Sequence, residues 1–340
     1  MKDIDFGKII KRSWYLTWNN KWLWVMGLVL AVFAGGGSGS GGGGGSSSSQ
    51  SSVPNTTGTP QPVIDEIKRQ TDSVLGEATN VITNWFSSIP AQNWVFFFLA
   101  VFVFVIFTIA AVWIVTSWAK GALIWGLNDA DDEKTVDLKS VSPKGISKIK
   151  DLIVFNLIST GITFALVLGL LLIFGLGFLV KLLIPVLGII LLILFGIAGV
   201  LAFIVAMVLF VMLSVYAERL IVLKDYSPWE AWKKGLFLGK SNFISTLSMG
   251  IINSAIGCGA GCLSLIALLI VFGVPAYLLI APMFTNGFNA PNLPQVVGIL
   301  IIIVLFFSLN TLMRAVLMVF NYGNWNLFFK QIFTESKNEK

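Results

Sequence analysis

The stretch "LVLGLLLIFGLGFLVKLLIPVLGIILLILF" occupies residues 166–195 and contains a single charged residue, Lys181. On both sides the pattern continues, and residues 152–213 contain no other charge. A helix needs about 20 apolar residues to cross the hydrocarbon core of a bilayer. A soluble domain could not bury so long an apolar run together with a chain that is 56% hydrophobic and only 12% charged. This stretch therefore predicts two long membrane-spanning helices that turn near Gly175–Pro185.

The rest of the chain repeats this pattern, which predicts an all-α, polytopic integral membrane helical bundle of about six transmembrane helices. A shorter apolar run, Trp22–Ala34, is long enough for a span only if its helix begins further back, near Trp14. The long uncharged runs are Trp94–Trp118, Leu152–Val180, Leu182–Leu213, Ile244–Ile280 and Val296–Met313.

The distribution of lysine and arginine predicts the orientation of these spans. Nineteen lysines and arginines lie in the segments predicted to share one side of the membrane: before the first span, between the second and third, between the fourth and fifth, and after the sixth. Only Lys68, Arg69 and Lys181 lie on the opposite side. Because loops rich in basic residues stay in the cytoplasm, both termini are predicted to be cytoplasmic and the chain to be a multi-pass protein of the cell (plasma) membrane. The same rule favours two spans over three in residues 152–213. The net charge of +6 then indicates anionic inner-leaflet lipids as partners and argues against nucleic acid.

This topology divides the chain into segments with distinct roles. We predict a basic interfacial helix and first span (1–34), a Gly/Ser-rich flexible linker (35–61), an outer amphipathic helix (62–90), a second span (93–118), a charged cytoplasmic connector (119–151), the third and fourth spans (152–213), a basic cytoplasmic interfacial helix (214–243), the fifth and sixth spans (244–321) and a cytoplasmic tail (322–340). For the first segment, cleavage after Ala34 as a signal peptide is the alternative to a retained helix. In the fifth span, "GCGAGC" (Gly257–Cys262) predicts a break or a close packing point.

The sequence offers no constellation for catalysis, a metal or a cofactor. It contains no histidine, which excludes imidazole bases and histidine metal ligands. The stretch "AWKKGLFLGKSNF" (Ala231–Phe243) resembles a phosphate-binding loop, but its spacer is one residue short and no strand precedes it. Cys258 and Cys262 lie four residues apart within a span, as small packing residues do. We therefore predict no catalytic residue, no metal site and no cofactor.

A better explanation of that stretch is internal repetition. Lys8–Trp22 and Glu230–Ile244 share a paired basic step, a small residue, apolar or aromatic positions and an asparagine before a span. Ser227-Pro228 starts the second copy as a helix N-terminus should. A third copy is predicted over Ser142–Asn156, which gives three helical hairpins, each introduced by a basic interfacial helix. The membrane-interface basic residues are Lys11, Arg12, Lys233, Lys234 and Lys240.

The segment "VYAERLIVLKDYSPWEAWKKGLFLGKSNF" (Val215–Phe243) resembles the recurrent segment of a bacterial six-span membrane family related to the membrane domain of glycerophosphoryl diester phosphodiesterases. The resemblance implies an all-helical membrane module without an established reaction of its own. These 340 residues include no catalytic barrel, so phosphodiesterase activity is not implied. The Gly/Ser tract and the outer helix have no counterpart in that pattern.

Arg314 interrupts the last span, and a charge within a membrane helix is a candidate functional residue. We predict that it anchors an anionic headgroup in a polar pocket, so that Arg314→Leu loses bound lipid. The alternative is that Arg314 reaches inner-leaflet phosphates or pairs with Glu218. The other predicted pocket residues are Asn310, Asn156, Thr160, Thr163 and Asn253.

These observations favour a non-catalytic, lipid-interacting or scaffolding membrane module. A small-molecule or lipid transporter is the alternative, which the internal repeats favour and the scarcity of ionisable residues near the middle of the membrane disfavours. A membrane-embedded lipid enzyme is a third class. Protein partners and oligomeric state are not specified by the sequence.

Overall fold

The computed structural model describes residues 4–33, 79, 80, 84, 94–285 and 293–338. Within these ranges every regular element is a helix. The named helices are α1 (Phe6–Asn19), α2 (Leu23–Phe33), α3 (Trp94–Asp131), α4 (Leu138–Ser147), α5 (Ile149–Leu183), α6 (Pro185–Lys224), α7 (Pro228–Ser241), α8 (Phe243–Thr285) and α9 (Leu293–Asn338).

Five of these helices, α3, α5, α6, α8 and α9, are long and apolar enough to cross a membrane. The predicted helical membrane bundle is therefore confirmed. Helix α2 has 11 residues and is roughly 16 Å long at 1.5 Å per residue, about half the hydrocarbon thickness. The first span, predicted within residues 1–34, would bring the number of spans to six, and it thus stays a prediction. The linker at 35–61 and most of the amphipathic helix at 62–90 lie outside the described residues.

The described residues form two compact units. One holds residues 4–33, 112–261 and 311–338, and the other holds residues 79, 80, 84, 94–111, 262–285 and 293–310. The second unit pairs apolar helices, with the rings of Phe272 and Phe306 centred 5.9 Å apart. The first unit contains the main apolar core, to which α1 and α2 contribute buried side chains: Ile9, Leu23, Met26 and Leu30.

Helix ends in the first unit follow from local side-chain chemistry. The side chain of Ser227 accepts a hydrogen bond from the Glu230 amide and Pro228 occupies the first turn, so the predicted N-terminus of α7 is confirmed. The third copy differs from the prediction, because α4 begins at Leu138 and Pro143 lies inside it. The reason is Asp137, whose carboxylate and backbone form a capping box and start the helix five residues before Pro143.

Each short helix carries a small residue that lies against the backbone of a long one. A Cβ atom built on Gly145 would lie 2.7 Å from the Trp118 carbonyl oxygen, and one built on Gly235 would lie 3.2 Å from the Leu213 carbonyl oxygen. Ser13 donates from Oγ to the carbonyl oxygen of Phe320 at 2.9 Å. Small residues allow this approach of backbones. The equivalence of Ser13, Gly145 and Gly235 supports three related helix pairs: α1 with α9, α4 with α3, and α7 with α6.

Several helices run further than the predicted spans. Helix α3 continues past residue 118 to Asp131, α6 past residue 213 to Lys224, and α9 past residue 321 to Asn338. These extensions carry charged side chains that find partners in neighbouring helices, so the helices need not end where the hydropathy falls. The predicted break at Gly257–Cys262 is wrong, because α8 is continuous there. Close packing is not seen at Gly257 or Gly259, where an added Cβ atom would meet none of the described residues within 4 Å.

Candidate functional site

A cavity of about 630 Å³ lies within the first unit. Its walls come from four of the long helices, α3, α5, α6 and α9, and Phe33 of α2 also borders it. A cavity of this size and helical setting is typical of ligand sites between the helices of a bundle.

The cavity is polar at one end and apolar at the other. In α3 the lining passes from Val112 to Lys120, and in α6 it passes from Met207 to Arg219. The lining residues of α5 pass from Asn156, at the polar end, to Val167, at the apolar end. Because all three helices agree in the direction of the gradient, the cavity matches an amphiphile with a polar head and an apolar tail.

A buried ion pair lies at the polar end. The Lys120 ammonium and the Glu218 carboxylate are 2.6 Å apart, and their side chains are 6% and 11% exposed. Lys120 belongs to α3 and Glu218 to α6, so the pair also joins two walls of the cavity. An ion of either sign is costly to bury alone, and this pairing offsets that cost.

Arg219 adds a second cation beside this pair and is only 2% exposed. Its guanidinium donates to two backbone carbonyls, that of Val215 at 2.8 Å and that of Tyr322 at 3.4 Å. The guanidinium carbon also lies 5.6 Å from the centre of the Tyr322 ring. Its Nε–H is buried without an acceptor. Arg219 is thus held in place by neutral groups and has a donor available for an anion.

Two further polar atoms in the lining are buried without a hydrogen-bond partner in the structure, Ser159 Oγ and Asn321 Oδ1. Their neighbours are satisfied: Asn156 Nδ2 donates to Ser117 Oγ at 3.2 Å, and Thr163 Oγ1 donates to the Ser159 carbonyl at 3.0 Å. Buried polar groups normally have partners. The unpartnered atoms therefore fit a ligand that brings hydrogen-bonding groups to this end.

The structure brings together three of the six residues predicted to form a pocket. Asn156, Thr160 and Thr163 line the cavity. Arg314 is exposed and does not border the cavity. Asn310 belongs to the second unit. Asn253 is buried and accepts a hydrogen bond of 2.7 Å from Asn324 Nδ2.

Sequence reasoning missed the two cations of the cavity, Lys120 and Arg219. Because they follow the uncharged runs, Lys120 falls in the predicted cytoplasmic connector and Arg219 in the predicted cytoplasmic interfacial helix. A signal for them was present in the sequence: Lys120 lies two residues after the end of one uncharged run, and Glu218-Arg219 lies five residues after another. Opposite charges at the same depth of neighbouring helices are a pattern that indicates pairing.

The five predicted membrane-interface basic residues lie on α1 and α7. Lys11, Lys233 and Lys240 are exposed, and the Lys233 ammonium lies 5.3 Å from the centre of the Trp229 ring. Arg12 forms an ion pair with Asp131 at 3.3 Å, and the Lys234 ammonium hydrogen-bonds the Tyr226 hydroxyl.

No group of three or more histidine, cysteine, aspartate or glutamate side chains arranged to hold a metal ion occurs in the part of the chain that the structure describes. Comparison with protein-family models, with curated proteins and with solved structures finds no match. The long apolar helices nevertheless define the class: this is a multi-pass helical membrane protein.

Proposed function

We propose that this protein is a non-catalytic, lipid-interacting membrane module that binds an anionic amphiphile in the cavity of its first unit. The observation that supports this most directly is the pair of buried cations, Lys120 and Arg219, at the polar end of a cavity whose other end is apolar. Only Glu218 among the charged lining residues is acidic, so the lining has two positive charges and one negative charge, a formal excess of one positive charge.

The location in the cell follows from the charge distribution. We propose a plasma-membrane protein with six spans and both termini in the cytoplasm, as the basic residues indicate. Lys120 and Arg219 leave this count because they line the cavity, and the remaining 17 basic residues still oppose three. In this orientation the polar end of the cavity faces the inner leaflet, where anionic lipids are enriched. The resemblance to the bacterial six-span family is compatible with such a module.

A pair of arginine variants tests the proposal. The protein is purified in mild detergent, and the lipids that remain bound are identified by native mass spectrometry. We expect the wild type to retain an anionic lipid and Arg219→Gln to lose it, because the guanidinium provides the free buried donor. Arg314→Gln is the matched control, since it removes an arginine from a membrane helix outside the cavity.

Equal retention of anionic lipid by the wild type and by Arg219→Gln would refute the cavity as the lipid site. If Arg314→Gln instead loses the lipid while Arg219→Gln keeps it, the pocket predicted from the sequence is the better explanation.

A small-molecule or lipid transporter is the second candidate. The repeated contact of Ser13, Gly145 and Gly235 with long helices favours it, because transporters are often built from structural repeats with a binding site between them. Flux measurements with reconstituted protein distinguish the two candidates: a module that only binds produces no protein-dependent transfer of amphiphile between leaflets.

A further inference from the structure

The volume of the cavity restricts the kind of amphiphile that it can enclose. If each non-hydrogen group of a ligand takes the volume of one water molecule in the liquid, about 30 Å³, then 630 Å³ holds roughly 20 groups. One hydrocarbon chain with a small headgroup fits this number. A phospholipid with two chains has more than twice as many groups.

The length of the cavity leads to the same class of ligand. From Arg219 at the polar end to Met207 at the apolar end, α6 rises through 12 residues, or about 18 Å. Half of a hydrocarbon core of about 30 Å is about 15 Å. The cavity is therefore about as deep as one leaflet, which is the depth of one extended chain whose headgroup stays at the membrane surface.

The charges of the lining restrict the headgroup. The ammonium of Lys120 is already bound to Glu218 at 2.6 Å, so Arg219 supplies the unneutralised positive charge. Its Nε–H and the Ser159 hydroxyl can both donate to an anionic oxygen, and the free Oδ1 of Asn321 can accept from a hydroxyl of the ligand. One negative charge, from a carboxylate or a phosphate diester, balances this set.

We infer that the cavity binds an amphiphile with a single acyl chain and a small monoanionic headgroup, such as a fatty acid or a 2-hydroxy fatty acid, with the headgroup on Arg219 and the chain directed towards Met207. This inference rests on the proposed function and specifies its ligand. A single-chain ligand distinguishes the cavity from a general docking surface for the anionic phospholipids of the inner leaflet, because those phospholipids have two chains.

The test uses the full-length protein in nanodiscs of zwitterionic phosphatidylcholine, with radiolabelled palmitate as the probe. We expect saturable binding of one palmitate per chain, and competition by 2-hydroxypalmitate. Arg219→Gln should weaken palmitate binding by about tenfold to hundredfold, the factor typical of one lost hydrogen bond to a charged group.

A second variant tests the chain rather than the headgroup. Met207→Trp narrows the apolar end and should shift the preferred fatty acid to a shorter chain with the headgroup site intact. Leu209→Trp is its matched control, because Leu209 is exposed on the same helix and does not line the cavity. This comparison does not depend on how well Arg219→Gln folds.

Three results would overturn the inference, and they separate it from the proposed function. If dipalmitoyl phosphatidylglycerol displaces palmitate as well as 2-hydroxypalmitate does, the ligand class is wrong and the lipid-binding function stands. If acetate displaces palmitate at equal concentration, the site binds small anions and not a chain. If neither lipid binds in a manner that depends on Arg219, both the inference and the proposed function fail.

Discussion

Removing one partner of the buried Lys120–Glu218 pair should destabilise the first unit by an amount that depends on which partner is removed. The two charged atoms are 2.6 Å apart. At an effective dielectric constant of about 20, this separation corresponds to about 6 kcal/mol of attraction. Dehydration of the two ions offsets much of that energy, so the pair contributes less than this to folding.

The two single variants are not equivalent, because Arg219, the next residue along α6, is a second cation in the lining of the same cavity. Glu218→Gln leaves two buried cations without a carboxylate, and we expect it to lower the free energy of unfolding by about 3–5 kcal/mol. Lys120→Met leaves Glu218 beside the positive charge of Arg219. It should cost about 1–3 kcal/mol, the range for one lost hydrogen bond to a charged group.

A double-mutant cycle measures the interaction itself. The free energy of unfolding is obtained from SDS titration in mixed micelles for the wild type, both single variants and the double variant. We expect the double variant to cost less than the sum of the single variants, since it leaves no carboxylate unpaired and one cation fewer. Arg314→Met is the control, because this exposed arginine lies outside the cavity, and it should change the free energy by less than about 0.5 kcal/mol.

Additivity would refute this reasoning. If the cost of the double variant equals the sum of the single costs within about 0.5 kcal/mol, then Lys120 and Glu218 do not interact in the folded protein. A larger loss for Lys120→Met than for Glu218→Gln would contradict the role given to Arg219 as the second cation beside Glu218.

Three further predictions concern packing, pH and topology. Gly145→Leu should lower the thermal midpoint of unfolding by several degrees because its Cβ atom would lie 2.7 Å from a backbone oxygen, whereas Gly161→Leu, with nothing within 4 Å of its Cβ atom, should not. The hydrogen bond from Lys330 lowers the pKa of the Asp132 carboxyl. The contribution of Asp132 to stability is therefore complete above the ordinary aspartate pKa of about 3.9 and is lost as the pH falls below that value. A pH series in which Asp132→Asn shows the same loss of stability as the wild type would contradict this prediction. A reporter enzyme fused after Lys340 should be active only in the cytoplasm, and an extracellular signal would reverse the proposed orientation.

The sequence was sufficient for the class of protein and for part of the cavity. Uncharged runs as long as residues 182–213 have few alternatives to a membrane helix, because the bilayer sets both the length and the polarity of what can cross it. Asn156, Thr160 and Thr163 were predicted together because their spacing of four and three residues places them on one face of a helix. The structure places all three in the lining.

Other features depend on neighbours that are distant in sequence. The fifth span was predicted to break or to pack closely at "GCGAGC" because the uncharged run Ile244–Ile280 is too long for one straight span and too short for two. In the structure α8 continues through this stretch, and no described residue lies within 4 Å of a Cβ atom built on Gly257 or Gly259. Helix α4 begins earlier than Ser142-Pro143 because one aspartate, Asp137, caps it.

The cations of the cavity show most clearly what the tertiary structure alone decided. A single sequence gives each charge an average cost at membrane depth, so Arg314 was assigned to a site, Lys120 to the charged cytoplasmic connector and Arg219 to the cytoplasmic interfacial helix. The actual cost depends on the partner. Glu218, 98 residues away along the chain from Lys120, makes that lysine stable inside the bundle, and carbonyl oxygens do the same for Arg219. Hydropathy therefore determined which segments cross the membrane, and the packing of those segments determined which charges face one another.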